Sequence, residues 1–203
     1  IQEALAYAGI PSEVLGLGGL VHLPEVADVV AMLKVVNNPD AGSSLMRLLT
    51  GPRLNLGPRD IAALGRFARS RSEEMRTDSR GIVKNIIAGN PQSAESDDQF
   101  IGSVIDALDE IEKCDKRNFS ELGYQRLASF ASDLRRLRSR ASAPITDLIV
   151  DIERYLNLES EVILRDGGIR GRRHLDRFLD EAAKFARSGG TLSAFLQWLD
   201  IAS

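Results

Sequence analysis

The sequence predicts an all-α, multi-helix protein. Three observations carry that expectation. Aromatic residues make up only 5% of the 203 residues while Ala, Leu and Arg abound, a composition that packs helices on aliphatic faces more readily than it builds a β-sandwich. Apolar residues recur at three- and four-residue spacing in one segment after another, the period of a helix with one buried face. Proline, glycine and N-capping residues stand where those segments start and stop. At 43% apolar and 27% charged, the chain has the composition of a folded globular protein.

In order, residues 1–9 read as the tail of a helix stopped by Gly9. Ile10-Pro11 breaks it, and residues 13–17 read as a short strand. A lone strand is unstable, so its sheet is expected in sequence outside this chain. An initial Ile in place of Met points the same way, to a piece of a longer protein. Gly18-Gly19 is a backbone pivot, since glycine takes φ values that other residues avoid. Pro24 then opens a helix with Glu25 near its positive end, and Val26, Val29, Val30, Leu33 and Val36 form its buried face. Asn37-Asn38-Pro39-Asp40 stops it. Residues 44–49 make a second short helix, residues 51–57 a tight hairpin, and Pro58 starts a third helix with Ile61 and Leu64 inward. The result is a helix-hairpin-helix-like element.

Residues 66–80 are strongly basic, with five arginines diluted by Glu73, Glu74 and Asp78; a solvated face and a binding patch both fit that pattern. Residues 88–97 read as a loop. A helix over about 98–113 buries Ile101, Val104, Ile105, Leu108 and Ile111, with Cys114 at its end. Ser120 and Glu121 open the next, with Leu122, Leu127, Phe130, Leu134 and Leu137 along one side. Arg135, Arg136, Arg138 and Arg140 crowd its C-terminal end, where cations complement the helix dipole. Pro144 starts a helix that lasts to Leu156, residues 160–164 give a short one, and Gly167-Gly168 is a break. A helix follows with Leu175, Phe178, Leu179, Ala182 and Phe185 inward, and Gly189-Gly190 ends it. Thr191 caps the last helix, whose stripe is Leu192, Phe195, Leu196 and Leu199.

The net charge of −3 gives the chain no global bias toward nucleic acid or membranes, so a nucleic-acid role has to rest on a local patch. A single cysteine, Cys114, rules out an intrachain disulfide and suits a cytoplasmic protein. His22, His174 and Cys114 are too few and too scattered for a zinc site. No apolar run reaches the length of a membrane span, and no signal peptide is visible. The chain has no GxxxxGK(S/T) phosphate loop and no Ser-His-Asp, Cys-His or paired-carboxylate constellation with local support. His174 reads as a surface residue. Taken alone, the chain is expected to catalyse nothing and to hold no cofactor.

One place does suggest anion contact. Gly57 precedes a helix N-terminus, where backbone N–H groups lack preceding carbonyls and the dipole is positive. Arg53 and Arg59 bracket the turn, so an anion docking there meets two guanidinium groups. An ordinary loop-to-helix junction has the same signature.

The same stretch resembles the UvrD/PcrA/Rep family of superfamily 1 DNA helicases. The resemblance runs through Gly9-Ile10-Pro11, Gly18-Gly19, the Glu-led helix from Pro24-Glu25-Val26 to Asn38-Pro39-Asp40, and the hairpin between two helices. The family's Gly-Ile-Gly hairpin signature reads Asn55-Leu56-Gly57 here. Its leucine-rich helix before motif V looks like residues 191–196. The short spacing from Gly-Gly-Leu to Pro-Glu-Val-Ala-Asp-Val is more similar to actinobacterial UvrD-like or RecB-like members.

The resemblance implies a remnant of the second motor (2A) domain at residues 1–20 and a helical 2B subdomain at 21–203. In that family the 2B subdomain contacts duplex DNA through the hairpin and swivels to regulate unwinding. Carried onto this chain, duplex-backbone contact falls on Arg53, Asn55, Leu56, Gly57 and Arg59, and the hinge on Gly18 and Gly19. ATP and Mg would belong to motor domains outside the chain, and the partners would be duplex DNA and those remaining domains. Asn55 departs from the family's first glycine and adds a side chain where DNA would approach. The competing expectation is a protein-docking or autoinhibitory helical domain that touches no DNA.

Overall fold

A computed structural model of the chain describes residues 16–86, 104–158 and 169–202, with side chains placed for 16–74, 104–158 and 172–202. Among the described residues every regular element is helical, as the composition and periodicity require. In chain order these are α1 (Leu17–Leu20), α2 (Pro24–Asn37), α3 (Gly42–Thr50), α4 (Pro58–Ile86) and α5 (Val104–Asp109). Two 3-10 turns follow (Ile111–Lys113 and Lys116–Asn118), then α6 (Glu121–Ser139), α7 (Ile145–Leu156), α8 (Ile169–Arg187) and α9 (Leu192–Ala202). The chain divides into two compact units, one made of the residues up to Leu33 together with Arg140 onward, the other of Lys34–Ser139. The division falls inside α2.

In the first unit, α8 packs on α7, and α1 lies against α8 and α9. Leu148, Ile149 and Ile152 of α7 and Leu175, Phe178 and Ala182 of α8 are buried at helical spacing. Asn157 closes α7 in the left-handed conformation (φ 55), the C-terminal stop that asparagine tolerates. The Thr191 hydroxyl accepts from the Ala194 amide at 3.3 Å and so caps α9 as expected. An aromatic cluster joins α8 to α9. Phe185 stacks on Trp198 with centroids 5.3 Å apart, and Phe195 meets Phe178 at 6.0 Å, geometries that add to plain area burial.

In the second unit α5 is the central piece, packed against α3, α4 and α6. Ile105 and Leu108 of α5, with Leu45 and Leu49 of α3, Leu64 of α4 and Phe130 and Leu134 of α6, have almost no exposed surface. Asn38 starts the turn between α2 and α3 with its own side chain, Oδ1 accepting from the Asp40 amide at 2.9 Å.

Several local expectations change. Gly18-Gly19 is not a left-handed pivot: both residues sit in α1, and the left-handed glycine is Gly16 (φ 87). Glycine is needed at 18 for another reason, since a Cβ there would run into the Ala202 carbonyl oxygen of α9. Of the expected strand only Gly16 and Leu17 are described, and Leu17 opens α1. The helix expected to reach residue 113 ends at Asp109 and continues as a 3-10 turn. Leu122, expected inward, is 63% exposed. The helix tail at 1–9, the loop at 88–97 and the short helix at 160–164 lie outside the described residues.

Candidate nucleic-acid interface

The segment joining α3 to α4 is a short loop held largely by its own backbone. The Asn55 amide donates to Gly51 O at 2.7 Å and the Leu56 amide to Leu49 O at 2.9 Å. The reversal needs a left-handed residue, and Asn55 supplies it at φ 44, a region where asparagine is strained less than most side chains. Leu54 and Leu56 are buried to 5% and 6% exposure and pin the loop from beneath. Arg126 of α6 clamps it from the side, its Nη1 donating to the carbonyls of Leu54 at 3.0 Å and Asn55 at 3.1 Å.

The helix that follows is fixed as firmly. Asp60, in the first turn of α4, is 5% exposed. Its Oδ1 accepts from the Ser120 amide at 2.7 Å and its Oδ2 from the Ser120 hydroxyl at 2.8 Å. Ser120 Oγ in turn accepts from the Gly123 amide at 3.0 Å, which caps α6. Gly123 has no room for a side chain, because a Cβ would overlap the Asp60 carboxylate. The start of α4 and the start of α6 are thus tied through one acid.

On this frame Arg53, Asn55, Gly57 and Arg59 are all exposed along the loop and the first turn of α4. Leu56 is not. With its side chain buried and its amide bonded to Leu49, it shapes the loop from inside. Gly57 takes no left-handed φ, and a Cβ there would meet nothing within 4 Å, so the space above it is open. The expected row of exposed amides is reduced: Pro58 has no N–H, and the Asp60 and Ile61 amides turn back to Gly57 O at 3.1 and 3.2 Å. That leaves the Arg59 amide, which has no acceptor among the described residues. Its guanidinium likewise pairs with no carboxylate there.

Other sequence candidates resolve as structural. Arg135 donates to Asp109 O at 2.9 Å and pairs with Glu112, Arg136 pairs with Asp133, Arg138 with Asp109 and Arg140 with Asp151. His174 is not a plain surface residue: its Nδ1 lies 2.8 Å from Oε1 of Glu25, which is 4% exposed. Burial pushes the Cys114 thiol above its ordinary value, the opposite of an activated nucleophile. Among the described residues no group of three or more His, Cys, Asp and Glu is placed to hold a metal, and no helix is long and apolar enough to cross a membrane. The residues that sequence reasoning missed are Arg126 and Asp60, together with the bonds that tie Asp60 to the helix-opening Ser120. Only Ser120, as a capping residue ahead of a helix, carries a local signal.

No protein-family model matches the chain. Over 78 residues, 38% of the chain, it is 34% identical to the ATP-dependent DNA helicase Rep of Escherichia coli (strain K12), covering 12% of that protein. Over 68 residues, 34% of the chain, it is 38% identical to the ATP-dependent DNA helicase UvrD1 of Mycobacterium tuberculosis (strain ATCC 25618 / H37Rv), covering 9% of it. UvrD1 of Mycobacterium bovis matches to the same extent. The chain therefore covers about a tenth of the length of these relatives. It is related to UvrD/Rep-type DNA helicases over roughly a third of its own residues.

Proposed function

We propose that this chain is part of an ATP-dependent DNA helicase, and that the loop from Arg53 to Arg59 grips the phosphate backbone of duplex DNA. The carrying observation is the combination at Gly57 and Arg59. A glycine with open space above it adjoins an arginine whose amide and guanidinium find no partner among the described residues. Rigid clamping by Arg126 supports the same reading, because a preordered contact surface loses little entropy on binding. Contact of this kind reads phosphates and not base edges, so it is independent of sequence. The relatives' names supply the DNA and the ATP dependence.

In this reading residues 21–203 act as the helical 2B subdomain and residues 1–20 as the remnant of the motor domain that carries it. ATP and Mg are used by motor domains outside the chain, which steps along single-stranded DNA while this piece holds the duplex. The test is binding to a fluorescent duplex at low salt, wild type beside Arg53→Ala/Arg59→Ala. Binding that weakens as salt rises and is lost in the double variant supports the grip. Binding indifferent to both arginines, or none, overturns it in favour of a protein-docking role.

A further inference from the structure

We propose that the duplex track continues beyond the loop along α4, through Arg66 and Arg69. This rests on the reading of the loop as a duplex grip and extends it to a second set of contacts. At about 100° per residue, Arg59, Arg66 and Arg69 fall within an arc of about 80° on one side of the helix. All three are exposed, and none pairs with a carboxylate among the described residues. Ala62 and Ser70 are exposed on the same side; both are small, so a polyanion can lie close against the helix there.

Within the second unit the lack of a partner is selective: every other arginine with a described side chain has one, although Arg154, Arg173 and Arg187 of the first unit also pair with no carboxylate among the described residues. Arg71, which turns away from this side, bonds to both Glu74 and Glu110. Arg117, Arg135, Arg136 and Arg138 each have a carboxylate. The chain carries 29 acidic residues against 26 basic ones, so unpaired arginines are not the overflow of a basic protein. The line begins at the loop and stops where Glu73 takes the next turn of the same side. From Arg59 to Arg69 the helix rises about 15 Å. Along one DNA strand that axial distance spans roughly four phosphates. A continuous line of that length joined to a phosphate-suited loop fits a regularly charged backbone better than an acidic side-chain cluster.

The experiment is fluorescence anisotropy of the 203-residue chain on a duplex oligonucleotide across a salt series. Wild type is measured beside Arg66→Ala/Arg69→Ala and Arg53→Ala/Arg59→Ala. Circular dichroism serves as the folding control, and since the side chains are exposed, native melting is expected in both variants. If both arginines neutralise phosphates, the slope of log K against log salt becomes shallower by about 2 in Arg66→Ala/Arg69→Ala. An unchanged slope in that variant, with binding lost in the loop variant, overturns the track and leaves the loop intact. Binding lost only in Arg66→Ala/Arg69→Ala supports the track and overturns the loop reading. Failure of wild type to bind, or displacement of the duplex by polyglutamate at equal charge concentration, overturns both.

Discussion

Arg126 reaches from α6 to the Asn55 carbonyl, holding at 3.1 Å the one loop residue whose backbone is left-handed. The same nitrogen also bonds Leu54 O at 3.0 Å, so one guanidinium fixes both carbonyls at the bend of the loop. Arg126 is therefore a positioning residue for the candidate interface.

Arg126→Ala is expected to cost duplex affinity about fivefold, the worth of roughly 1 kcal/mol of lost loop order. Amide hydrogen exchange across residues 51–57 should speed up in parallel. The salt slope should stay at the wild-type value, because no phosphate contact is removed. A shallower slope would instead make Arg126 a direct phosphate contact.

Asp60→Ala strips the Ser120 amide and hydroxyl of a buried charged acceptor. The expected cost is about 2–3 kcal/mol, or a fall in melting temperature of roughly 4–12 °C for a chain of this size. Gly123→Ala alone should destabilise by about 1–3 kcal/mol through overlap with the Asp60 carboxylate. Placed on top of Asp60→Ala the same change should be neutral or stabilising, since the obstruction is gone and alanine is the better helix former. Melting of the four proteins in that cycle checks the sign reversal.

Acid should weaken the second unit through Glu110. Hydrogen bonding from Lys113, at 2.8 Å, and the nearby Arg71 hold this carboxyl below its ordinary value of 4.5. A depressed carboxyl stabilises the fold at neutral pH and loses that contribution as pH falls from about 4.5 through its folded value. Glu110→Gln should therefore melt lower than wild type at pH 7, by an amount within about 1 kcal/mol for a partly exposed pair, and the two curves should draw together as pH falls below 4.5 and meet only below the depressed folded value. A gap that persists undiminished into acid would remove Glu110 as its source.

His174→Ala deprives the buried Glu25 of a partner 2.8 Å away. A loss of about 1–3 kcal/mol is expected at neutral pH. His174→Asn, whose amide nitrogen stands near the place of Nδ1, should recover part of it. Chemical denaturation of the three proteins decides this, and equal stability of all three would show that Glu25 does not depend on the imidazole.

Much of the fold was legible because its signals are local. Pro24 begins α2, Thr191 caps α9 and the apolar spacing of α6, α7 and α8 marks the buried faces. The left-handed tolerance of Asn55 follows from residue type as well. What escaped depends on residues far apart in sequence. Leu122 is apolar like its neighbours on α6, yet it lies five residues before Leu127, off the stripe of Leu127, Phe130, Leu134 and Leu137, and stands exposed in the same first turn that sets Gly123 against Asp60. Nothing near Arg126 in the chain announces that its hydrogen-bond acceptors lie in the α3–α4 loop. Glu25 reads as an ordinary first-turn acid until the fold brings His174 to it.

The Asp60 carboxylate has a further electrical effect. It lies in the first turn of α4, and through the Ser120 hydroxyl it reaches the first turn of α6. One negative charge therefore offsets the positive ends of two helix dipoles at once. The field that a bare helix start would cast over Gly57 is largely cancelled by the protein itself. Attraction of an incoming polyanion then falls to the arginine side chains. Exchanging them for lysines, which keep the charge and lose the planar fork, would separate the pull of charge from the fit of the guanidinium.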